Sequence, residues 1–281
     1  MESETILLLE LDERNLAHFL SSLALAALAR RVRHEGSTIE SIEFRRCWWP
    51  KPGDFAIQTE LPAEQFRRLL FTKAHGFLKA MKWHPGLGGA AYGILVSGSE
   101  IGVNPFIALS GEAGENSPLK GFSARVLPGA TLPEQLAKLR APDSCPDWLN
   151  QLDRGAGSWG FDFRVNMHAS DAGISSDAEN SGHLDPFYPA VELLGLAAAA
   201  FFVPAHAWQM KKNALVASAW TQPVPMAMAA LAATGCVHGL PARRYKFSRR
   251  GAAHGKGRAY HFFPPATLLQ TSNGRKLYAN T

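Results

Sequence analysis

The chain has 281 residues, of which 46% are hydrophobic and 19% charged, a balance that is typical of a globular protein and excludes a disordered one. Its formal net charge of +5 conceals an uneven distribution. Residues 1–192 contain 18 basic and 24 acidic residues, whereas residues 193–281 contain eleven basic residues and no Asp or Glu. This asymmetry suggests a polyanionic partner for the basic region.

Other bulk features indicate where the protein works. Cys47, Cys145 and Cys236 are odd in number and far apart, so a disulfide framework is not expected. The acidic start and the short apolar run Ile6–Leu9 are not typical of a signal peptide. No apolar stretch reaches the roughly 20 residues that cross a bilayer. We therefore expect a cytoplasmic protein without a membrane segment.

The first third of the chain is predicted to mix strands and helices. Thr5–Leu11 is a short apolar run typical of a buried strand, and Asp12 can cap a helix that continues to about Arg33. Ile39–Trp49 alternates in places and predicts a second strand. Pro62–Trp83 predicts an amphipathic helix with a basic outer face.

The middle of the chain is predicted to be irregular. Leu132–Arg140 and Asp147–Leu152 are predicted short helices, and Phe161–Val165 is a predicted strand. Ala169–Gly182 is rich in Ser, Asp, Gly and Asn, which makes it the best candidate for a mobile loop or a domain boundary.

A buried helix is predicted within Asp185–Pro204, started by Pro186 or Pro189 and ended by Pro204. It is apolar on all sides with Glu192 as its only charge, so other elements should surround it.

A second, alanine-rich helix is predicted from about Pro225 to Thr234, closed by Gly235. Together the patterns predict an α+β fold. Residues 1–180 form a net acidic, mixed α/β N-terminal part. Residues 181–281 form a more helical C-terminal part that carries a basic stretch, and both can belong to a single continuous domain.

The basic stretch is the strongest functional signal. Seven of the eighteen residues from Pro241 to Arg258 are Lys or Arg, and Tyr245 and Phe247 alternate with them as in a strand. Clustered cations bind phosphates and aromatic rings stack on bases, whereas a solvated charge run usually mixes both signs. The predicted nucleic-acid-binding residues of this region are Lys211, Lys212, Arg243, Arg244, Lys246, Arg249, Arg250, Lys256 and Arg258.

A smaller cluster joins two arginines to two tryptophans near the N-terminus. Arg45 and Arg46 precede Trp48 and Trp49, and these residues can bind a phosphate and stack a base. Equally, the two tryptophans can plug the rim of the core before Pro50. Both interpretations remain open at this stage.

A catalytic or metal site is hard to assemble from the sequence. No Cys or His pair has the spacing of a zinc site, and the Gly-x-Ser-x-Gly motif is absent. Asp162, Asp171 and Asp177 are expected to be surface carboxylates rather than magnesium ligands. We expect no catalytic residues, metal or cofactor.

The central stretch resembles a known family. Tyr188-Pro189-Ala190-Val191-Glu192-Leu193-Leu194 looks like the "YPAVELL" signature of small proteins encoded with CRISPR type I-U (I-G) systems, the large-subunit-like component of the Cascade complex. The opening helix sequence Asn15–Leu25 is similar too. The order Phe161-Asp162, Asp171-Ala172-Gly173, then the central helix also fits.

The resemblance implies a non-catalytic subunit of a ribonucleoprotein. Its expected partners are guide RNA, target DNA, the other Cascade subunits and a recruited helicase–nuclease that performs cleavage. In such effectors base pairing reads the sequence, while protein reads shape and a short flanking motif.

An alternative is a repeat-associated RNA-processing endoribonuclease with a ferredoxin-like fold. Gly251–Gly257 would then be the RNA-holding loop, and His254 or His261 the general base.

Overall fold

The computed structural model describes residues 5–85, 92–96, 99–101, 132–145, 147–154, 161–164, 186–199, 214–235, 237–248, 250–254, 258–262 and 264–272. Helices and antiparallel sheets are both present, which confirms the α+β class. The helices are α1 Leu16–Ala29, α2 Ile39–Glu43, α3 Ala63–Lys79, α4 Leu132–Lys138, α5 Pro189–Ala199 and α6 Ala229–Ala233.

The strands of the N-terminal and middle regions are β1 Thr5–Glu10, β2 Arg46–Lys51, β3 Asp54–Thr59, β4 Met81–Pro85, β5 Tyr92–Val96, β6 Ser99–Ile101, β7 Asp153–Arg154 and β8 Pro186–Phe187. Those of the C-terminal region are β9 Ala214–Trp220, β10 Val224–Pro225, β11 Ala242–Ser248, β12 Arg250–His254, β13 Arg258–Phe262 and β14 Thr267–Ser272. No described helix has the length and apolar character needed to cross a membrane.

The N-terminal sheet has the strand order β1-β3-β2-β10, with antiparallel pairing throughout. The chain builds it as β1-α1-β2-β3-α3 with α2 inserted before β2, and β3 lies between β1 and β2. This is the order and pairing of the split β-α-β motif of ferredoxin-like folds. The fourth strand comes from far along the chain, because β10 pairs with β2 through Val224 opposite Cys47.

Helix α1 is the centre of the hydrophobic core, and every described side chain in it except Ala27 is buried. Its N-cap is Asn15, whose side chain accepts from the backbone N–H of Ala17, and not Asp12 as the sequence predicted. Asp12 is unavailable as a cap because its carboxylate pairs with Arg14. The helix also ends earlier than predicted, at Ala29.

Helix α5 confirms the predicted central helix, beginning at Pro189, and its side chains are buried along 189–198. It packs directly on α1. A Cβ atom at Gly195 would lie 3.6 Å from the carbonyl oxygen of Ala17, so the two backbones approach closely. The hydroxyl of Ser21 in α1 donates to the carbonyl oxygen of Val191 at 2.9 Å. A single cluster of buried apolar residues therefore draws on both the N-terminal and the C-terminal halves of the chain.

Two predicted strands are wrong. The first half of Ile39–Trp49 is helix α2, which Thr38 starts through a capping box with Ser41, and only its second half is strand β2. In Phe161–Val165, residues 163–164 are helical, residues 161–162 have no regular structure and Val165 lies outside the described residues. The predicted loop Ala169–Gly182 also lies outside them.

The C-terminal region combines the two helices α5 and α6 with a larger share of strand. Sheet β14-β11-β9 and the hairpin β12-β13 account for most of its described residues after α5. The predicted small-residue helix near residues 225–234 is confirmed as a short 3₁₀ turn followed by α6. Gly235 closes it with φ of 76°, a left-handed conformation that glycine adopts without strain.

Candidate nucleic-acid interface

Arg45 is an internal residue, only 2% exposed. Its Nη1 donates to the carbonyl oxygens of Ala29 at 2.5 Å and Val32 at 2.7 Å, at the end of α1, where cations are favoured and last-turn carbonyls lack helical partners. Its Nε and Nη2 donate to the carboxylate of Glu60. The prediction that Arg45 contacts nucleic acid is therefore corrected, because its guanidinium is committed inside the protein.

The contact with Arg45 also changes the pKa of Glu60. Burial raises the pKa of Glu60, but the hydrogen bond and the charge of Arg45 lower it by more. The net pKa therefore lies below its ordinary value. Glu60 is thus ionised across the neutral range.

Arg243 also points inward. Its Nε donates to Oε1 of Glu13 at 3.0 Å, its Nη2 donates to the carbonyl oxygen of Trp49, and its side chain is 12% exposed. The other oxygen of Glu13 accepts from the backbone N–H of Gly53 at 2.9 Å. This ion pair corrects the prediction for Arg243, because its charge is neutralised by a buried carboxylate.

Tyr245 completes the Glu13 network. Its hydroxyl donates to Oε1 of Glu13 at 3.0 Å, and burial together with the carboxylate raises the pKa of Tyr245 to about 12. Phe247, two residues further along β11, packs against Phe19 of α1. The predicted alternation of aromatic residues in this stretch therefore serves the core, not an external base.

Arg244 and Lys246 alternate with those core-facing residues along β11 and are half-buried. They lie opposite Ser218 and Val216 of β9, both of which are buried. The Nε of Arg244 is buried and has no hydrogen-bond partner among the described residues. These two cations are partly accessible.

The hairpin β12-β13 carries Arg250 and Arg258. In its register Arg250 lies opposite Phe262, Ala252 opposite Tyr260 and His254 opposite Arg258. Residues directly opposite each other, and residues two apart on one strand, share a face. One face of the hairpin therefore has cationic, histidine and aromatic positions. The other face has the positions Gly251, Ala253, Ala259 and His261.

Four predicted contact residues lie outside the described residues: Arg249, Lys256, Lys211 and Lys212. The hairpin register places Arg250 and Arg258 on a shared face, and Arg244 and Lys246 are partly accessible on β11. Arg46 is exposed on β2, next to Arg45, whose guanidinium is hydrogen-bonded inside the protein. Adjacent arginines thus have opposite environments, which the sequence alone did not resolve.

A buried polar cluster, not predicted from the sequence, surrounds Asp162. Asp162 is fully buried rather than a surface carboxylate, and its Oδ1 accepts from Nδ2 of Asn15 at 2.7 Å. Arg164 donates to both carboxylate oxygens, through Nε to Oδ1 and through Nη2 to Oδ2. The backbone N–H of Asp162 donates to Oε1 of Glu192 at 3.0 Å. The segment 161–164 is thereby tied to the start of α1 and to α5.

The electrostatics of this cluster favour a fixed charge pattern. Burial raises the pKa of Asp162, but the hydrogen bonds and charge of Arg164 lower it more, so the net pKa lies below its ordinary value. The guanidinium of Arg164 also lies 3.6 Å from the ring centre of Tyr188. Asp162 and Glu192, which the family resemblance singled out in separate segments, belong to one network.

His18 lies at the edge of the cluster. Its Nδ1 accepts from the backbone N–H of Asp12 at 2.9 Å, and its Nε2 is 3.9 Å from Asp162. Desolvation and the nearby Arg164 lower the pKa of His18 to about 4, against the opposing influence of Asp162 and Asp12. A neutral imidazole, held by its backbone contact, is the resulting state near neutral pH.

Among the described residues, no three His, Cys, Asp or Glu side chains come together as a metal site requires. Cys47 is buried, and burial raises the pKa of its thiol, so it is unreactive at neutral pH. Comparisons of the chain with protein-family models, curated proteins and solved structures found no match.

Proposed function

We propose that this chain is a non-catalytic nucleic-acid-binding subunit of a cytoplasmic ribonucleoprotein complex of the CRISPR type I Cascade kind. Its partners in that proposal are guide RNA, target DNA and the other subunits, with cleavage left to a recruited helicase–nuclease. The observation that carries it is the register of the hairpin β12-β13, which groups Arg250 and Arg258 with aromatic positions on one face.

The charge distribution supports the same proposal. Residues 193–281 contain no acidic residue, so the cations of this hairpin have no carboxylate within their own region of the chain. The one described ion pair of this region uses Glu13, a residue near the N-terminus, and it neutralises Arg243 only. Cations without local carboxylates, next to aromatic positions, favour a ligand with phosphates and bases.

The test replaces Arg250 and Arg258 together by alanine. The matched control replaces Arg30 and Arg31, two exposed arginines at the end of α1. Fluorescence anisotropy with labelled RNA and DNA over a salt series measures the dissociation constant. Because each phosphate contact contributes about one unit to the slope of log K against log salt, the hairpin variant should lose up to about two units.

Loss of affinity across unrelated sequences, with the control unchanged, supports the proposal. A wild-type chain that binds neither RNA nor DNA at low salt contradicts it, as does a hairpin variant with wild-type affinity and slope.

One observation favours a second candidate, the repeat-associated endoribonuclease. The β1-α1-β2-β3-α3 order is that of a ferredoxin-like unit, and His254 lies opposite Arg258, with Gly255 and Gly257 between them in the sequence. Incubation of the purified chain with repeat RNA, followed by a denaturing gel, tests it. Site-specific cleavage that His254→Ala or His261→Ala abolishes would replace the first proposal, whereas intact RNA removes the second.

A further inference from the structure

The N-terminal sheet has one covered and one open face. Along β1, Leu7 and Leu9 are buried, whereas Ile6 and Leu8 are 51% and 46% exposed. Helices α1 and α3 pack on the side of the buried residues. An antiparallel sheet with solvent on one face normally presents polar residues there, so exposed Ile6 and Leu8 are unusual.

Strand β2 divides the sequence cluster Arg46-Cys47-Trp48-Trp49 between the two faces. Cys47 and Trp49 are fully buried, and the ring of Trp49 stacks on Phe19. Arg46 is exposed and Trp48 is partly exposed, so both lie on the open face. Trp49 therefore fills the core, whereas Trp48 packs only partly against it and keeps part of its surface exposed.

The register places an apolar row across this open face. Leu8 of β1 lies opposite Ala56 of β3, and Ala56 lies opposite Trp48 of β2. Ala56 is itself fully buried, so the accessible part of this row consists of Leu8 and the partly exposed indole ring of Trp48. A base can stack on the accessible part of that ring, since stacking requires only an open ring face.

Charges on the open face are arranged along the strands. Arg46 lies two residues from Trp48 on β2 and opposite Pro225 of the acid-free region, and no described carboxylate pairs with it. At the other end, Lys51 pairs with Asp54 at 3.2 Å. Among the described residues of this face, a phosphate is thus attracted to the Arg46 end.

We propose that the open face of the N-terminal sheet binds an unpaired nucleic-acid strand, with one base stacked on Trp48 and the adjacent phosphate held by Arg46. This inference rests on the proposed function and names the form of ligand that one of its surfaces takes. In a duplex the bases are stacked on each other and do not offer a free face, whereas unpaired bases can be splayed onto an aromatic side chain.

The apolar row also fits a protein partner. Arg46, which has no ion pair among the described residues, lies beside the partly exposed Trp48. An arginine and an aromatic residue two apart on one strand can bind a phosphate and stack its base, which favours nucleic acid. A protein partner is the outcome that the experiment below distinguishes.

The experiment measures anisotropy of the full-length chain with a labelled single strand of RNA, the same sequence as DNA, and the corresponding duplex. Trp48→Ala should weaken single-strand binding about tenfold or more, because a stacked base contributes on the order of that factor, and should leave duplex binding within about twofold. Trp48→Phe retains a ring and should restore most of the affinity. Arg46→Ala should reduce the single-strand salt slope by about one.

Matched controls use residues outside the sheet. Phe44→Ala removes an aromatic ring that is 70% exposed but not on a strand, and Arg68→Ala removes an exposed arginine of α3. Neither should change the affinity. Leu8→Glu compared with Leu8→Gln adds a negative charge to the same row without disturbing the core, and only the glutamate should weaken binding. Thermal melting of each variant verifies folding.

Single-strand binding that is unchanged in Trp48→Ala and Leu8→Glu, but lost in the Arg250/Arg258 variant, overturns this inference while the proposed function stands. The open face would then be left to a protein partner. Equal losses for single strand and duplex in Trp48→Ala overturn the specificity for unpaired bases. A wild-type chain that binds no nucleic acid overturns both proposals.

Discussion

Glu13 and Arg243 are 230 residues apart in sequence and meet at 3.0 Å, where the guanidinium donates to a fully buried carboxylate. The same carboxylate accepts from Tyr245 and from the backbone N–H of Gly53. One acidic side chain therefore connects strand β11 to the loop between β2 and β3. The contact joins the basic C-terminal region and the acidic N-terminal region into a single structural unit.

Replacing Glu13 by alanine should destabilise the protein strongly. It leaves Arg243 without its counter-charge and two donors without an acceptor, and loss of one partner of a buried ion pair costs about 3–5 kcal/mol. Urea denaturation measures the change in the free energy of unfolding. As a control, Glu64→Ala removes a pair with Arg67 in which the glutamate side chain is 78% exposed, and should cost less than about 0.5 kcal/mol. Equal effects of the two substitutions would contradict the structural role of Glu13.

Substitutions of the neighbouring residues Arg45 and Arg46 should differ in their effect on the free energy of unfolding. Arg45→Met removes the donors to the last carbonyls of α1 and leaves Glu60 unpaired, so we expect a loss of about 3 kcal/mol in the free energy of unfolding. Arg46→Met, at an exposed position, should change it by less than about 0.5 kcal/mol. Chemical denaturation of the two variants gives the comparison. A larger loss for Arg46 would mean that the two residues have been assigned the wrong faces.

His18 predicts a dependence of stability on pH. The folded-state pKa is depressed to about 4 from an ordinary value of 6.5, so the unfolded chain binds the proton more readily between these values. The stabilisation is fully present above about pH 6.5 and is lost as the pH falls towards 4, by a total on the order of 3 kcal/mol.

Denaturation at several pH values tests this expectation. In His18→Gln the decline between pH 6.5 and 4 should be smaller, because the titrating group is gone while an acceptor for the backbone N–H of Asp12 remains. The net pKa of Asp162 is lowered, so its titration should reduce the free energy of unfolding only as the pH falls below the ordinary range of a carboxyl group. An unchanged decline in the variant would show that another group is responsible.

Gly195 lies where α5 packs against α1. A methyl group there would meet Ala17 and Leu20 at 3.6–3.7 Å, which is ordinary van der Waals contact. Gly195→Ala should therefore be neutral or stabilising by up to about 1 kcal/mol, because alanine favours helix more than glycine. Gly195→Leu should destabilise by about 1–3 kcal/mol through overpacking. Thermal melting ranks the three proteins, and a destabilising alanine would contradict this packing.

Local patterns were enough to predict several elements. Three elements have a hydrophobic period or length that is typical of only one secondary structure: the apolar run of β1, the amphipathic face of α3 and the continuous apolar stretch of α5. The segment Ile39–Glu43 misled the prediction because exposed apolar residues imitate strand alternation. The decisive signal was the Thr38 and Ser41 capping box.

The environment of individual charges could not be predicted in the same way. Arg45 and Arg46 are neighbours of identical chemistry, and only the contacts of Arg45 with Ala29, Val32 and Glu60 assign it to the interior. Arg243 and Asp162 depend on partners 230 and 147 residues away, Glu13 and Asn15, which no local pattern identifies. Composition therefore indicated a basic region, while tertiary contacts decided that some of its cations are committed inside the protein.

The fourth strand of the N-terminal sheet, β10, comes from late in the sequence. Three of its strands lie within the first 59 residues, but Val224 and Pro225 supply the last one. A chain emerging from the ribosome would therefore hold an unfinished β2 edge until about four-fifths of its length has been translated. Such an exposed edge invites pairing with other nascent chains, so slow or truncated synthesis should favour aggregation.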